Sequence, residues 1–218
     1  MKKLLAAAFT SLMLSAGANA VEIITNGNFE TGDLTGWSTS NLGTTGTCPS
    51  ATRDWNVAAT SSTGCSTVAN PIGNFAAYAM NDGPANTNLS LFQTLDLTNV
   101  AGGLLSFEWT ATSSHDPART FSVFLGGSEI FGMSSQANPS AWTNVSLDIS
   151  SELLALSGSS ALLEFRNYIP STWTGPAGIG LDNVSIDATI ASVAGPSTLA
   201  LIGLGLAGLG LSRKRKEV

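Results

Sequence analysis

Short segments of alternating apolar and polar residues constrain the fold of this chain more than any other feature. Within Gly103–Ser113, every second residue from Leu105 to Ala111 is apolar and the residues between them are polar, which is the period of a strand with one buried face. Turn-forming clusters separate such segments, and no helical period of useful length lies between Val21 and Gly195. The pattern predicts an all-β sandwich. The predicted strands are Asn74–Met80, Leu89–Leu97, Gly103–Ser113, Arg119–Gly127, Trp142–Ser150, Ser160–Ile169 and Gly178–Asp187.

The first twenty residues have the three parts of a secretory signal peptide. Two lysines follow Met1, an apolar run comes next, and Ala18–Ala20 has the small-x-small pattern that signal peptidase recognises. We therefore expect cleavage after Ala20, so that the mature, exported chain begins at Val21.

A second apolar run, residues 197–212, lies near the C-terminus. It has no charge until a basic cluster follows it. As a helix it would be little more than about 20 Å long, short of the about 30 Å of a hydrocarbon core. Basic side chains anchor at the membrane interface and stay cytoplasmic, so we expect a short transmembrane helix with the preceding domain outside. The basic anchor is Arg213, Lys214, Arg215 and Lys216, within a tail of residues 213–218.

The order of Pro196, the apolar run and the basic cluster resembles the PEP-CTERM sorting signal, although Ala194, Gly195 and Pro196 stand where that family has Pro-Glu-Pro, before Ser197. The resemblance implies an exosortase-like sorting enzyme as partner. It also implies anchoring in the inner membrane, with the domain first in the periplasm and later at the cell surface or in the extracellular matrix. The family is linked to exopolysaccharide and biofilm. Cleavage of the tail and simple anchoring are both left open. The predicted order is signal peptide (1–20), β-sandwich domain (21–190), linker with the sorting motif (191–196), hydrophobic helix (197–212) and tail.

The predicted domain is strongly acidic. Between Val21 and Gly195 it has fourteen aspartates and glutamates, no lysine, and only three basic residues, Arg53, Arg119 and Arg166. An acidic surface repels phosphate backbones, which argues against nucleic acid as a partner. Divalent cations or neutral sugars fit this surface better.

Cys48 and Cys65 are the only cysteines. Export places them in an oxidising compartment, where two thiols of one domain most simply form a disulfide, here across a polar loop. In the loop-entropy model such a bridge stabilises the fold by about 3 kcal/mol. A metal pair or a catalytic thiol is the alternative, and no histidine lies nearby in the sequence to support either.

The segments ITNGNFETGDLTGW (Ile24–Trp37) and IGLDNVSID (Ile179–Asp187) open and close the domain. They resemble the ends of the galactose-binding-like jelly roll found in many carbohydrate-binding modules. The resemblance implies a jelly-roll β-sandwich and a structural calcium ion held by Glu30 and Asp182, with oxygens from the turn at Gly32. The alternative is that Glu30 caps a turn and Asp182 satisfies backbone donors.

The five tryptophans fall into two groups. Trp37, Trp109 and Trp142 lie in or beside predicted strands, where we expect burial. Trp55 and Trp173 lie in polar loops, and we interpret each as an exposed ring that stacks on a sugar. The alternative is that each ring folds back over the edge of the sandwich. The predicted sugar-contact residues are Trp55, Trp173, Arg53 and Tyr168.

The sequence frames no catalytic site. His115 is the only histidine, and adjacency to Asp116 alone does not make a catalytic pair. No nucleophile elbow, zinc-protease helix or phosphate-binding loop occurs. We therefore predict a non-catalytic exported protein that binds or organises extracellular polysaccharide. A structural or adhesive surface protein without a defined sugar ligand is the first alternative. A secreted glycoside hydrolase, which needs two suitably spaced carboxylates, is the second.

Overall fold

The computed structural model describes residues 19–40, 54–60, 67–80, 86–112, 119–134, 141–170, 177–191 and 202–206. The chain divides into a compact unit of Ala20–Ile190 and a second unit of Met1–Asn19 with Ala191–Val218. Most of the predicted signal peptide therefore lies outside the described residues. The other predicted residues outside them are Cys48, Arg53, Cys65, His115, Trp173, Ala194, Gly195, Pro196, Ser197, Arg213, Lys214, Arg215 and Lys216.

The described part of the domain is built almost wholly from strands. Its elements in chain order are β1 (Asn19–Glu22), β2 (Ser38–Thr39), β3 (Asn56–Ala58), β4 (Ala76–Met80), β5 (Thr87–Asp96), β6 (Val100–Ala111), β7 (Thr120–Leu125), β8 (Ser128–Ser134), β9 (Thr143–Asp148), α1 (Ser150–Ala155), β10 (Ser160–Ile169) and β11 (Gly178–Ile190).

These strands form two sheets with one core between them. The six-stranded sheet has the order β3-β4-β11-β6-β9, with β1 paired to β11, and the five-stranded sheet has the order β2-β5-β10-β7-β8. The pairings along both orders are antiparallel. The first and last strands of the domain are neighbours, and the predicted all-β jelly-roll sandwich is confirmed.

The alternating face of β6 supplies the centre of the core. The apolar positions from Leu105 to Ala111 are buried, as predicted. Phe107 on this face meets Phe121, Phe131 and Phe165 of the opposite sheet, with ring centroids 6.2, 5.5 and 5.3 Å apart. All three contacts are edge-on, the arrangement that aromatic quadrupoles favour. The period-two pattern thus identified the residues that join the sheets.

Five elements of the described fold were not predicted from the sequence: the short strands β1, β2 and β3, the strand β8 and the helix α1. The short strands have two to four residues each, too few for an alternating pattern. β8 is an edge strand held by its pairing to β7, and its half-buried residues have no clear alternation. The helix α1 is six residues long and buries only Leu153 fully, so it is too short to produce a helical period. Both β8 and α1 depend on packing against neighbours rather than on a pattern of their own.

Tryptophan burial agrees with the prediction for two of the three strand-associated rings. Trp37 and Trp109 are 7% and 3% exposed and belong to the core. Trp142 is half-buried, because it lies on the outer side of the six-stranded sheet.

Within the predicted hydrophobic tail, residues 202–206 are helical, and Ile202, Leu204 and Leu206 are exposed. Among the residues that the structure describes, no helix is both long enough and apolar enough to cross a membrane.

Candidate functional site

The loop of residues 69–75, which leads into β4, contacts both carboxylates that were predicted to hold calcium. Asp182 Oδ2 accepts a hydrogen bond from Ile72 N at 3.3 Å. Glu30 Oε1 accepts hydrogen bonds from Asn74 N at 2.8 Å and Phe75 N at 3.2 Å. Glu30 Oε2 accepts one from Asn74 Nδ2 at 2.8 Å. Two acids from opposite ends of the domain therefore meet at one loop.

Two aromatic side chains hold the earlier part of the same loop. Tyr78 OH donates to Ala69 O at 2.9 Å, and Trp142 Nε1 donates to Asn70 O at 2.6 Å. The two rings pack with centroids 6.4 Å apart. A Cβ atom at Gly180 would lie 2.9 Å from the Tyr78 ring and 3.1 Å from the Trp142 ring. Glycine at this position therefore lets both rings lie against the sheet.

The backbone beside each of the two carboxylates has an uncommon conformation. Phe29, before Glu30, has φ of 54°, and Asn183, after Asp182, has φ of 50°. A left-handed phenylalanine costs about 1–3 kcal/mol and persists only where surrounding contacts enforce it. Here the Phe29 side chain is fully buried, and a register shift follows Asp182 in the β11–β6 pairing. Glu30 is thus positioned by a strained, well-packed residue, whereas Asp182 precedes an asparagine, a residue type that tolerates the left-handed conformation.

Asp182 lies in an environment that is short of positive charge. It is fully buried, and burial, with smaller contributions from the nearby carboxylates of Glu108 and Glu30, raises its pKa to about 7. The pKa of Glu30 is lowered instead, chiefly by the hydrogen bonds from Asn74 and then by the one from Phe75. A proton or a cation at Asp182 would relieve this imbalance.

The two carboxylates are of the ligand type that calcium prefers, and each of their oxygens also accepts a hydrogen bond in this structure. Glu30 and Asp182 supply hard carboxylate oxygens, and calcium requires six to eight such ligands. Gly32 closes a turn by donating its N–H to Phe29 O at 3.0 Å, with φ of 78°. In the part of the chain that the structure describes, no three His, Cys, Asp or Glu side chains converge on a point. The remaining ligands would therefore be backbone carbonyls, as in the predicted set.

Two of the predicted sugar-contact residues lie among the described residues. Trp55 is buried in the core, whereas Tyr168 lies on an outer surface. Trp55 is 3% exposed, belongs to the core and donates from Nε1 to Leu89 O at 3.3 Å. The prediction of an exposed stacking ring at Trp55 is wrong, because β3 begins at Asn56 and this edge strand brings the adjacent ring into the core. Tyr168 is half-buried and donates its hydroxyl to Asn86 Oδ1 at 2.9 Å.

Tyr168 belongs to the outer face of the five-stranded sheet, which we call the polar-aromatic face. On the central strand β10, Glu164, Arg166 and Tyr168 alternate with buried residues and point away from the core. The strand register decides which side chains stand beside them, on strands about 4.8 Å away. Glu164 lies between Phe92 and Phe124, Arg166 between Ser90 and Ser122, and Tyr168 between Asn88 and Thr120.

A charged pair stacked on an aromatic ring occupies the middle of the polar-aromatic face. Arg166 Nε donates to Glu164 Oε1 at 2.9 Å, and Nη2 donates to Oε2 at 2.7 Å. The guanidinium carbon lies 3.9 Å from the ring centroid of Phe124, which is a cation–π contact. The pKa of Arg166 is raised, mainly by the Glu164 hydrogen bonds. A bidentate, stacked guanidinium is a preorganised donor.

Only Tyr168 of this face was predicted from the sequence. The alternation in SALLEFRNYI (Ser160–Ile169) places Glu164 and Arg166 on the same side as Tyr168, and this signal could have found both. Phe92 and Phe124 come from β5 and β7, so only the register shows that they are neighbours.

A separate surface cleft of about 380 Å³ lies beside β1 and the bulge of β11. Glu22 is the carboxylate in its lining, and its oxygens accept hydrogen bonds from Ile24 N, Ile186 N and the Ser185 hydroxyl. Among the described residues of its lining, no second carboxylate stands beside Glu22, whereas most glycoside hydrolases use a pair. Its other residues are Ile24, Asn26, Gly27, Asn28, Asn183, Val184 and Ser185.

Residues 196–216 match the family model of the PEP-CTERM protein-sorting motif. The chain carries a PEP-CTERM sorting motif. This motif implies an exported protein with a membrane-anchored C-terminal signal and an exosortase-type processing partner, as predicted. The match begins at Pro196, so Ala194 and Gly195 precede it. No curated protein sequence matches this chain.

Several solved structures are similar to this chain over most of its length. The cyclase Fisc from Fischerella sp. TAU is 18% identical, covers 80% of this chain and 100% of its own, and has a TM-score of 0.53. The K3 adhesin domain of Lys-gingipain from Porphyromonas gingivalis W83 is 16% identical, with 76% and 98% coverage and a TM-score of 0.50. The carbohydrate-binding module TmCBM61, in complex with β-1,4-galactotriose, is 13% identical, with 77% and 98% coverage and a TM-score of 0.49. Such likeness concerns the fold alone, and one fold hosts both catalysis and binding.

Proposed function

We propose that this chain is a non-catalytic protein of the cell surface or extracellular matrix whose domain binds or organises exopolysaccharide through the polar-aromatic face. The observation that carries the proposal is the guanidinium of Arg166, held rigidly by Glu164 and Phe124 at the centre of an outer sheet face. Sugar sites combine aromatic rings with a few fixed polar groups that bind hydroxyls. Tyr168 and Phe92 extend this combination over neighbouring strands.

The PEP-CTERM motif supports the cellular part of the proposal. The export route would begin with signal peptidase at Ala20, continue with anchoring in the inner membrane and the domain in the periplasm, and end with an exosortase-like enzyme acting on the tail. The strong negative charge of the domain agrees with polysaccharide, rather than nucleic acid, as the external partner.

Two alternatives make different predictions. A structural or adhesive protein would keep the fold but bind no soluble polysaccharide. A secreted hydrolase, or an enzyme of another class such as the cyclase that shares this fold, would convert its ligand. Retention on a polysaccharide without release of reducing ends favours the binding domain over both.

Arg166→Ala should weaken polysaccharide binding by at least about tenfold, because it removes the preorganised donors from the centre of the face. Affinity electrophoresis through gels that contain soluble polysaccharides measures the change. Asn144→Ala is the matched control, because Asn144 is an exposed polar residue of β9 on the other sheet. Equal retardation of Arg166→Ala and wild type would remove this face from the proposal.

We also propose that Glu30 and Asp182 hold a structural calcium ion, with further oxygens from the turn at Gly32. Two observations support this proposal. Asp182 is buried, and both Asp182 and Glu30 accept hydrogen bonds from the loop of residues 69–75. Calcium should then raise the melting temperature of the domain, and a chelator should lower it, since a ligand that binds only the folded state stabilises it.

Intact mass spectrometry of the protein from its native cell envelope and medium tests the export route. We expect a mass that lacks the first twenty residues and everything after about Gly195, because an exosortase-type enzyme would process the tail. A mass that ends at Val218 would show that the tail serves as an anchor, and a mass that retains Met1–Ala20 would contradict the predicted leader.

A further inference from the structure

We infer that the polar-aromatic face selects neutral, hydroxyl-rich glycans over uronate-containing ones, and that Glu164 is the residue that sets this selectivity. The inference rests on the proposed function and adds the class of ligand. It follows from how the charge of Arg166 is already compensated on the surface of the protein.

The carboxylate of Glu164 occupies one whole edge of the Arg166 guanidinium. The two hydrogen bonds, at 2.9 and 2.7 Å, use Nε and one hydrogen of Nη2. A ligand carboxylate therefore cannot use this edge for a bidentate contact, and on the remaining Nη1–Nη2 edge it would bring a second negative charge close to Glu164. Burial alone would raise the pKa of Glu164, but hydrogen bonds from Arg166 and Ser90 outweigh it and lower the pKa. Glu164 is therefore ionised in the neutral range and remains a competitor for any anionic ligand.

A second carboxylate stands on the same face. Glu129 on β8 lies opposite Phe124, and its Oε1 would be 2.2 Å from a Cβ atom placed at Gly132, so this side chain extends over Gly132, the residue opposite Ser122. Its charge also acts on Arg166. An anionic glycan that approaches Arg166 would thus meet two carboxylates around one guanidinium.

No other solvent-accessible cation among the described residues offsets the negative charges of Glu164 and Glu129. Arg119 is 1% exposed, and the domain contains no lysine, so in the described ranges Arg166 is the solvent-accessible cation. What Arg166 still offers is the pair of hydrogens on Nη1 and the second hydrogen on Nη2, because its hydrogen bonds to described residues are the two to Glu164. Hydroxyl and ether oxygens can accept from Nη1 without bringing charge, and the neighbouring rings offer apolar surface to a sugar.

The test compares wild type with Glu164→Gln on two kinds of probe, an uncharged soluble galactan or β-glucan and the polyuronates polygalacturonate and alginate. Wild type should bind the uncharged glycan and bind polyuronate at least about tenfold more weakly. Glu164→Gln should gain about tenfold in polyuronate binding at low salt and lose that gain at high salt, because it frees the Arg166 charge. Glu152→Gln, which makes the same charge change on α1, should leave both affinities unchanged.

The outcomes separate the inference from the proposed function. Wild type that binds polyuronate as tightly as uncharged glycan, or a Glu164→Gln protein that is folded and gains nothing, overturns the inference and leaves the proposed function standing. Failure of wild type to bind any probe overturns the proposed function, and the inference with it. If Glu164→Gln does not fold, Glu129→Gln should produce a smaller gain in the same direction, and no gain overturns the inference.

Discussion

Gly27→Ala should prevent the domain from folding. A Cβ atom at this position would lie 1.8 Å from the carbonyl oxygen of Val184 and 2.9 Å from Ile24 Cγ2. The obstructing atom is backbone of β11, and the same two residues are joined by a hydrogen bond from Val184 N to Gly27 O at 2.9 Å. Relief of the clash must therefore separate the opening segment from the last strand. We expect insoluble protein, or a loss of more than about 4 kcal/mol in the free energy of unfolding.

The measurement is chemical denaturation followed by tryptophan fluorescence, with Gly127→Ala as the control. Gly127 has a positive φ of 86°, but nothing lies within 4 Å of a Cβ atom there, so alanine should cost only about 1–2 kcal/mol from the left-handed backbone. If Gly27→Ala and Gly127→Ala are equally stable, the close approach of the opening segment to β11 does not hold the fold together.

Asp182→Asn should be more stable than wild type in a chelator and less stable than wild type in calcium. With EDTA at pH 8, the variant should be more stable than wild type, because wild type keeps a buried, uncompensated carboxylate. The folded-state pKa of about 7 lies above the usual 3.8, so the group's contribution to stability is complete below pH 4. It is lost as the pH rises to 7, and the full difference corresponds to about 4 kcal/mol. We expect the variant to melt only about 4 °C higher, because the carboxylate accepts backbone hydrogen bonds from Ile72 N and Asn183 N and an amide oxygen can keep only one of the two.

In millimolar calcium, wild type should instead be more stable than Asp182→Asn. Wild type should gain stability, whereas Asp182→Asn should not, because an amide is a weaker calcium ligand than a carboxylate. Asp187→Asn is the matched control, since Asp187 is an exposed acid on the same strand and should leave the calcium response unchanged. A calcium response that survives Asp182→Asn would contradict the proposed site, and a strong loss of stability at pH 8 in EDTA would contradict the buried, uncompensated carboxylate.

Much of the fold was predictable because the signals are local. The alternation that marks a strand is contained within about ten residues, and β10 was predicted with its observed bounds, Ser160–Ile169. The inward face of β6 followed from the same alternation. The short helix α1 and the edge strand β8 were missed because their own residues encode little, and their neighbours hold them in place.

The candidate sites were predictable only in part. Glu30 and Asp182 were found through the two motifs that open and close the domain, and the structure brings both to one loop. Trp55 was assigned to an exposed loop because polar residues surround it in sequence, yet its ring is in the core. Local polarity does not report where a large apolar ring will be buried, because burial depends on which distant surface is available to it.

The sequence by itself determined the strand content, the inward residues of the central strands, the acidity of the domain and the sorting motif. Each of these is a property of consecutive residues. Only the tertiary structure decided that Phe92 and Phe124 flank Glu164, that Arg166 is neutralised on an outer face and that Asp182 is buried beneath a loop more than a hundred residues away in sequence. These facts depend on the register and packing of strands distant in the chain, and such pairings are set by the sum of many contacts rather than by any local pattern.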